Sequence, residues 1–325
     1  MKAVELRACG PPSVLQLRTD YPKPTAASNS ALVRIHAAGI NPVDLQTREG
    51  GVIKTLVANR KILGGDLAGV VESPSIAYPQ FKAGDKVIAL TNGFQFWTKV
   101  GCYAEYMAVP VSNLASMPSN LSFEDAAGVP LVALTAWQAL DKAALKPGQR
   151  VLVQAGSGGV GSWVVQLAKQ RGLHVTATCS TPNVSFVQGL GADVVIDYTK
   201  QSFVEVCRAS PKFDGVVDPM GGQVETNGFK CLSSKGVFVG ILNKRMSPTA
   251  LPLRNLRSMI GLGPRYCLIV VQPNGKQLQA VSELIQIGKV KTLTDRVFPL
   301  AQAAEAHEYL DKRRGGRGKV VLQVT

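Results

Sequence analysis

Val151-Leu-Val-Gln-Ala-Gly156-Ser157-Gly158-Gly159-Val160-Gly161 decides the reading of this chain. Apolar β-formers run into glycines at Gly156, Gly158 and Gly161, which satisfies GxGxxG, and Val164, Val165, Leu167 and Ala168 follow at helical spacing. Strand, glycine turn and amphipathic helix in that order are the context the motif requires. Amides exposed at a helix N-terminus, together with its partial positive charge, cradle a pyrophosphate. Gly156, Ser157, Gly158, Gly159, Val160 and Gly161 are therefore the candidate dinucleotide contacts. The run from Val151 to Ala168 carries no charge and raises the question of a membrane span. Its central glycines break a continuous helix, so a buried strand, tight loop and helix are expected instead.

Downstream, strand patterns near Leu173–Thr178, Asp193–Ile196, Asp214–Asp218, Val237–Ile241 and Tyr266–Val271 alternate with helical patterns. Six strands with intervening helices predict a doubly wound parallel sheet, an α/β fold of Rossmann type. Upstream, Ala31–Ala37, Asp66–Glu72, Lys86–Leu90 and Tyr103–Val109 are short β-compatible runs punctuated by Gly and Pro, which favours a small barrel or sandwich. Ser122 followed by Glu124 and Asp125 starts a helix, and a second runs from Leu134 to Leu145 before Lys146-Pro147-Gly148. Helices over 276–287 and 301–311 precede a closing strand, Lys319–Val324, expected to return to the first domain. The expected division is a β-rich domain over 1–122 completed by 289–325, and a dinucleotide domain over 123–288.

At 325 residues, 46% hydrophobic and 18% charged, the chain is globular in composition. Its net charge is +14, of which +9 falls between Ile241 and Thr325, where 14 bases face 5 acids. Such a field attracts a phosphorylated cofactor, an acidic membrane surface or nucleic acid without choosing among them, and nucleic acid is the least expected of the three. Six cysteines are widely spaced, with no CxxC, and the N-terminus lacks the apolar core of a secretory signal. A reducing intracellular compartment, cytoplasm or chloroplast, is the expected home.

Cofactor choice is read at the end of the second Rossmann strand, where NAD enzymes place an acid on the ribose. This chain has Ala177-Thr-Cys-Ser180-Thr-Pro-Asn183, and its first acid is Asp193. Without a carboxylate there, a 2′-phosphate is not repelled, and Ser180, Thr181 and Asn183 offer donors, so NADP(H) is preferred. The loop has no Lys or Arg. His36, His174 and His307 are dispersed and read as structural, no GxSxG is present, and no cysteine has an evident base, so metal and nucleophile chemistry are not expected.

These features, with Ala38-Gly-Ile-Asn41-Pro-Val-Asp44, Gly64-Gly-Asp66-Leu-Ala-Gly-Val-Val-Glu72, Phe81-Lys-Ala-Gly-Asp85, Gly101-Cys-Tyr-Ala-Glu-Tyr106, Leu190-Gly-Ala-Asp193 and Ala304-Glu-Ala-His307 with Gly318-Lys-Val-Val, resemble the zinc-free medium-chain dehydrogenase/reductases, quinone oxidoreductase and zeta-crystallin-like branch. His174–Cys179 and Asp197-Tyr198 look most like its chloroplast-envelope and mitochondrial members. The resemblance covers essentially the whole chain. It implies a GroES-like first domain, a Rossmann second domain, and a homodimer that uses NADPH to reduce quinones or α,β-unsaturated carbonyls.

The resemblance also implies Asn41 and Thr135 near the nicotinamide, Ser180 and Tyr198 at the adenosine phosphate, and backbone of Gly240 and Ile241 at the carboxamide. Asn41 is the expected positioning residue for catalysis and Gln46 the candidate donor to the substrate oxygen. Read alone, Asn41 also suits a strand-ending turn, Thr135 a packed helix and Tyr198 a loop aromatic. Zinc-binding relatives carry Gly-His-Glu where this chain has Gly64-Gly65-Asp66, and a ligand cysteine where it has Asn41. Gln46 stands where related reductases often have tyrosine, and Pro182-Asn183 where they often have a base. Phe94-Gln-Phe-Trp97 either lines the substrate cleft or packs internally. A rival from another class is a regulatory nucleotide-binding protein without turnover, whose basic tail (Lys312-Arg313-Arg314, Arg317, Lys319) holds RNA or acidic lipid.

Overall fold

The computed structural model describes residues 1–50, 61–91, 100–241, 263–313 and 316–325. The Phe94–Trp97 cluster lies outside them. Two compact units result, one of Met1–Leu134, Val271–Arg314 and Gly318–Thr325, the other of Thr135–Val270 and Gly315–Arg317.

The first unit opens with β1 (Ala3–Leu6) and β2 (Leu15–Arg18), an antiparallel pair. Then come β3 (Ser30–Ile40), α1 (Pro42–Glu49), β4 (Asp66–Ser73), β5 (Lys86–Leu90), β6 (Tyr106–Pro110), β7 (Leu114–Ser116), α2 (Phe123–Ala127) and the start of α3 (Pro130–Ala143). β3 is the axis of the sheet because Ala31, Val33, Ile35 and Ala37 are wholly buried while Arg34 faces out, and its β-branched residues suit a pleated, packed surface. It pairs antiparallel with β4 and β6. The predicted Tyr103–Val109 strand starts three residues late, since Ala104 bridges Ala3 and the Tyr103 carbonyl accepts the Val4 N–H instead.

The second unit takes over within α3 and continues with β8 (Arg150–Val153), α4 (Gly159–Gln170), β9 (His174–Cys179), α5 (Val184–Gly189), β10 (Val194–Asp197), α6 (Phe203–Ala209), β11 (Phe213–Asp218), α7 (Gln223–Phe229), β12 (Leu232–Ile241) and β13 (Arg265–Ile269). The six strands form one parallel sheet in the order β10-β9-β8-β11-β12-β13. The order reverses between β8 and β11, and ligands of such sheets bind outside the carboxyl ends there. Val151, Leu152 and Val153 are fully buried, each contributing about 1.5–3 kcal/mol of apolar burial. The uncharged stretch is thus core strand, loop and helix; among the described residues no helix is long and apolar enough to cross a membrane.

The chain returns to the first unit with α8 (Gly275–Gln286), β14 (Thr294–Pro299), α9 (Ala303–Lys312) and β15 (Lys319–Gln323), which pairs antiparallel with β3 as expected. The unit boundaries nonetheless differ from 122/123 and 288/289. Helix α8 sits with the first unit because Ser282 Oγ donates to the Ser116 carbonyl (2.6 Å) and the Ser116 N–H donates to Gln279 (2.9 Å). Helix α2 sits there too, since Thr294 Oγ1 donates to Asp125 (2.6 Å). Both contacts join residues too far apart in sequence for local pattern to register.

Candidate functional site

In the second unit the loop after β8 is tied down before the helix begins. Thr178 Oγ1 accepts the Ala155 N–H (3.1 Å) and donates to Gln154 (2.7 Å), and the Thr178 carbonyl accepts the Gly156 N–H (2.8 Å). A Cβ on Gly161 would meet the Ala155 carbonyl oxygen at 2.1 Å, so only glycine lets the helix start this close to the loop. At Gly158 a Cβ would meet the Ala155 carbonyl oxygen at 3.3 Å, a tight contact but a much milder one than at Gly161. Gly158 caps α4, and the amides of Gly159, Val160 and Gly161 have no intrahelical acceptor by the geometry of a helix start. The Gly156 and Gly158 amides are used within the loop, donating to the Thr178 and Ala155 carbonyls, so the donors that fit a pyrophosphate are those of the helix start at Gly159, Val160 and Gly161, with no acid anywhere in 156–161.

Ser180 and Tyr198 are brought together at the carboxyl ends of β9 and β10, because the Tyr198 N–H donates to the Cys179 carbonyl (3.1 Å); Tyr198 is 53% exposed. Two expected phosphate donors are otherwise engaged. Thr181 Oγ1 donates to Asp197 (2.6 Å), and Asn183 Nδ2 donates to Ser180 Oγ (3.0 Å). Hydrogen bonds from Thr181 and Thr199 hold the Asp197 carboxyl below its ordinary range.

The base missing from this loop arrives from 134 residues away. Arg317 Nε donates to Asn183 Oδ1 (2.6 Å), its Nη2 donates to the Pro182 carbonyl, and the guanidinium lies over the Phe186 ring at 5.1 Å. No local signal reveals it, since it was legible only as one base of the tail. Asp193, the first acid after β9, pairs with Lys169 (2.7 Å) and accepts the Val175 N–H, so it is a structural group. Gly240 and Ile241 end β12 at the carboxyl side of the sheet, in register with Asp218 and Ile269 respectively. Thr135 is 1% exposed at the start of this unit.

In the first unit Asn41 joins the end of β3 to α1 and is 1% exposed. Its N–H donates to Asp44 Oδ2 (2.8 Å), its Nδ2 donates to Asp66 Oδ2 (2.9 Å), and its Oδ1 accepts Lys319 Nζ. Lys319 also donates to the Ile40 carbonyl (2.8 Å) and faces Asp66 at 3.4 Å, while Asp66 Oδ1 accepts the Leu131 N–H (2.8 Å). Burial pushes the Asp66 carboxyl up and the Lys319 ammonium down, and each opposes the other's shift by its charge. Gln46, on α1, is half-buried. The Asn41 amide is therefore held in one orientation by a buried ion pair that sequence reading did not assemble, because Lys319 is 278 residues away.

The other tail bases have their own partners: Lys312 pairs with Glu308 and Arg313 with Asp295 (2.9 Å), while Arg314 lies outside the described residues. His36 stacks on Phe123 (4.2 Å between centroids), His174 starts β9, and His307 is enclosed in the first unit. All six cysteines are free thiols.

The sequence model for the alcohol dehydrogenase GroES-like domain matches residues 27–119, and that for zinc-binding dehydrogenases matches residues 190–322. The chain is 32% identical to a mitochondrial NAD(P)H oxidoreductase of Danio rerio, over 91% of this chain and 84% of the relative. It is 34% identical to the chloroplastic NADPH-dependent alkenal/one oxidoreductase of Arabidopsis thaliana, over 99% of this chain and 79% of the relative. The solved quinone oxidoreductase of Coxiella burnetii matches with a TM-score of 0.87 at 34% identity, covering 100% of this chain and 99% of that one. Zinc does not fit the residues here. The oxygens of Asn41 and Asp66 already hold the Lys319 ammonium, and among the described residues no three His, Cys, Asp or Glu side chains come together to hold a metal.

Proposed function

Because this chain belongs to the zinc-free, quinone oxidoreductase-like branch of the medium-chain dehydrogenase/reductases, we propose that it is an NADPH-dependent reductase of quinones or of the activated double bond of α,β-unsaturated carbonyls. The observation that supports the cofactor assignment is Arg317, which donates to Asn183 and to the Pro182 carbonyl in the loop that follows β9. When bound, NADPH supplies the hydride. The cradle over 156–161 holds the pyrophosphate on helix amides, and Ser180, Tyr198 and Arg317 take the 2′-phosphate. Backbone of Gly240 and Ile241 serves the carboxamide, and Asn41 and Thr135 serve the nicotinamide end. Gln46 donates to the oxygen that gains negative charge, and solvent supplies the proton. No side chain acts as an obligate acid in this scheme.

The proposal includes a homodimer in a reducing compartment, cytoplasm or chloroplast. Free thiols at all six cysteines suit a reducing compartment, and the chloroplastic name of one relative supports the second of the two. NADPH and NADH are titrated separately against the wild-type chain and Arg317→Ala, followed by NADPH oxidation with a small quinone and a short enone. Tighter NADPH binding is expected, with a loss of about tenfold on removing the guanidinium and no change for NADH. Equal binding of the two cofactors by the wild type sinks the NADPH assignment, and binding without turnover on either acceptor sinks the reductase reading.

A further inference from the structure

A second network inside the first unit ends on the Asn41 backbone. Asp44, at the start of α1, is a buried carboxylate that accepts the Asn41 N–H through Oδ2 (2.8 Å) and the Gly64 N–H through Oδ1 (3.1 Å). The negative charge of Asp44 adds to burial in raising the pKa of the Tyr103 hydroxyl, so that this phenol stays protonated. Tyr103 is wholly buried with its ring against Gly64, where φ is +94° and a Cβ would meet the ring at 2.6 Å. The Tyr103 Oη lies 3.1 Å from His307 Nε2, and His307 Nδ1 faces Arg48 Nη1 at 3.4 Å. Arg48, 2% exposed, is anchored in turn by Asp311 (2.9 Å).

The direction of every link follows from one group. A guanidinium only donates, so His307 Nδ1 accepts from Arg48 and the ring proton resides on Nε2. Nε2–H then donates to Tyr103, which leaves the Tyr103 O–H available to donate to Asp44. Arg48 does not release its proton, so the chain is not a proton wire to the surface. Burial beside the Arg48 charge pushes His307 down to about 3, so the ring stays neutral across the working range.

We propose that His307 and Tyr103 are positioning residues for Asn41: the His307 ring, protonated on Nε2, orients the Tyr103 hydroxyl onto Asp44, and Asp44 fixes the backbone of Asn41 and of Gly64 two residues before Asp66. Asn41 is thus held twice, by the Asp66 and Lys319 pair at its side chain and by this chain of donors at its amide. The kinetic part rests on the reductase reading.

Three readouts test it. Nitrogen-detected NMR of the wild-type imidazoles should show His307 with Nδ1 bare and Nε2 protonated at pH 7; a proton on Nδ1 overturns the proposal and needs no variant. Amide exchange at Asn41 and Gly64 should rise at least about tenfold in His307→Leu and Tyr103→Phe but stay within about threefold in His307→Gln, whose carbonyl can accept from Arg48 and whose amide can donate to Tyr103. Unchanged exchange in folded Tyr103→Phe overturns it, as does equal acceleration in the Gln and Leu variants. With a quinone or enone, His307→Leu and Tyr103→Phe should lower kcat about tenfold with the NADPH Kd unchanged, and Gln should rescue most of it. Wild-type kcat in both variants overturns the kinetic role. If the wild type oxidises no NADPH with any acceptor, the reductase reading falls, and the tautomer and exchange readouts still decide the network.

Discussion

Two glycines of one motif serve different ends, and substitution separates them. At Gly161 an added Cβ would sit 2.1 Å from the Ala155 carbonyl, so Gly161→Ala must push the helix off the loop. A loss of about 1–3 kcal/mol in denaturant unfolding is expected, as for other overpacked sites. At Gly158 the nearest atom, the Ala155 carbonyl oxygen, is 3.3 Å away, so Gly158→Asp asks the loop to give by only a few tenths of an ångström and should cost less stability than Gly161→Ala. If the proposed cradle is the site, the introduced carboxylate opposes the pyrophosphate, and NADPH binding is expected to vanish in a fluorescence titration. Retained tight binding would show that the cradle is not the site. The motif was legible in the sequence because all its parts are local, whereas Arg317 was not, because the residues that receive it lie 134 positions earlier.

Strand ends are where elements are locked together. Asp66 opens β4, Lys319 opens β15 and Asn41 follows β3, so one buried ion pair pins three chain segments. Lys319→Ala leaves the Asp66 carboxylate buried without its cation, and about 3–5 kcal/mol of stability should be lost. Adding Asp66→Asn to that variant removes the stranded charge and should recover part of it; calorimetry of the two variants checks the sign. Helix α2 depends on a smaller device. Ser122 Oγ accepts the Asp125 N–H (3.1 Å), so Ser122→Ala should cost about 1 kcal/mol. That cap was readable from Ser122, Glu124 and Asp125 alone, while the ion pair required the fold to bring positions 66 and 319 together.

For the whole molecule, acid stability carries the mark of His307. Its folded pKa is about 3 against about 6.5 unfolded, so below pH 6.5 the unfolded chain binds a proton that the folded chain refuses. Stability from this group is full above pH 6.5 and falls as pH drops toward 3, with about 2 kcal/mol lost by pH 5. Asp218 works the other way. Burial raises it to about 6 against the Met220 and Gly221 amides, so between pH 6 and 4 the folded chain gains protons first and recovers about 1 kcal/mol by pH 5. The wild type should therefore lose more melting temperature between pH 7 and pH 5 than His307→Gln does, since both keep Asp218. Equal losses would place the ring's folded pKa near its ordinary value.

The sequence by itself determined what depends on neighbours along the chain. Periodicity set the alternating elements of the second unit, and the glycine spacing set the loop after β8; the lack of an acid in 177–183 is likewise a local fact, on which the proposed NADPH preference draws. Tertiary structure alone decided which distant side chains meet: Arg317 with Asn183, Lys319 with Asp66 and Asn41, His307 with Tyr103, and α8 with β7. The reason is physical. A strand, turn or cap is favoured by torsional preference and spacing within a few residues. A buried polar group must instead find its partner wherever packing delivers one, and leaving it unpaired costs about 1–3 kcal/mol or more.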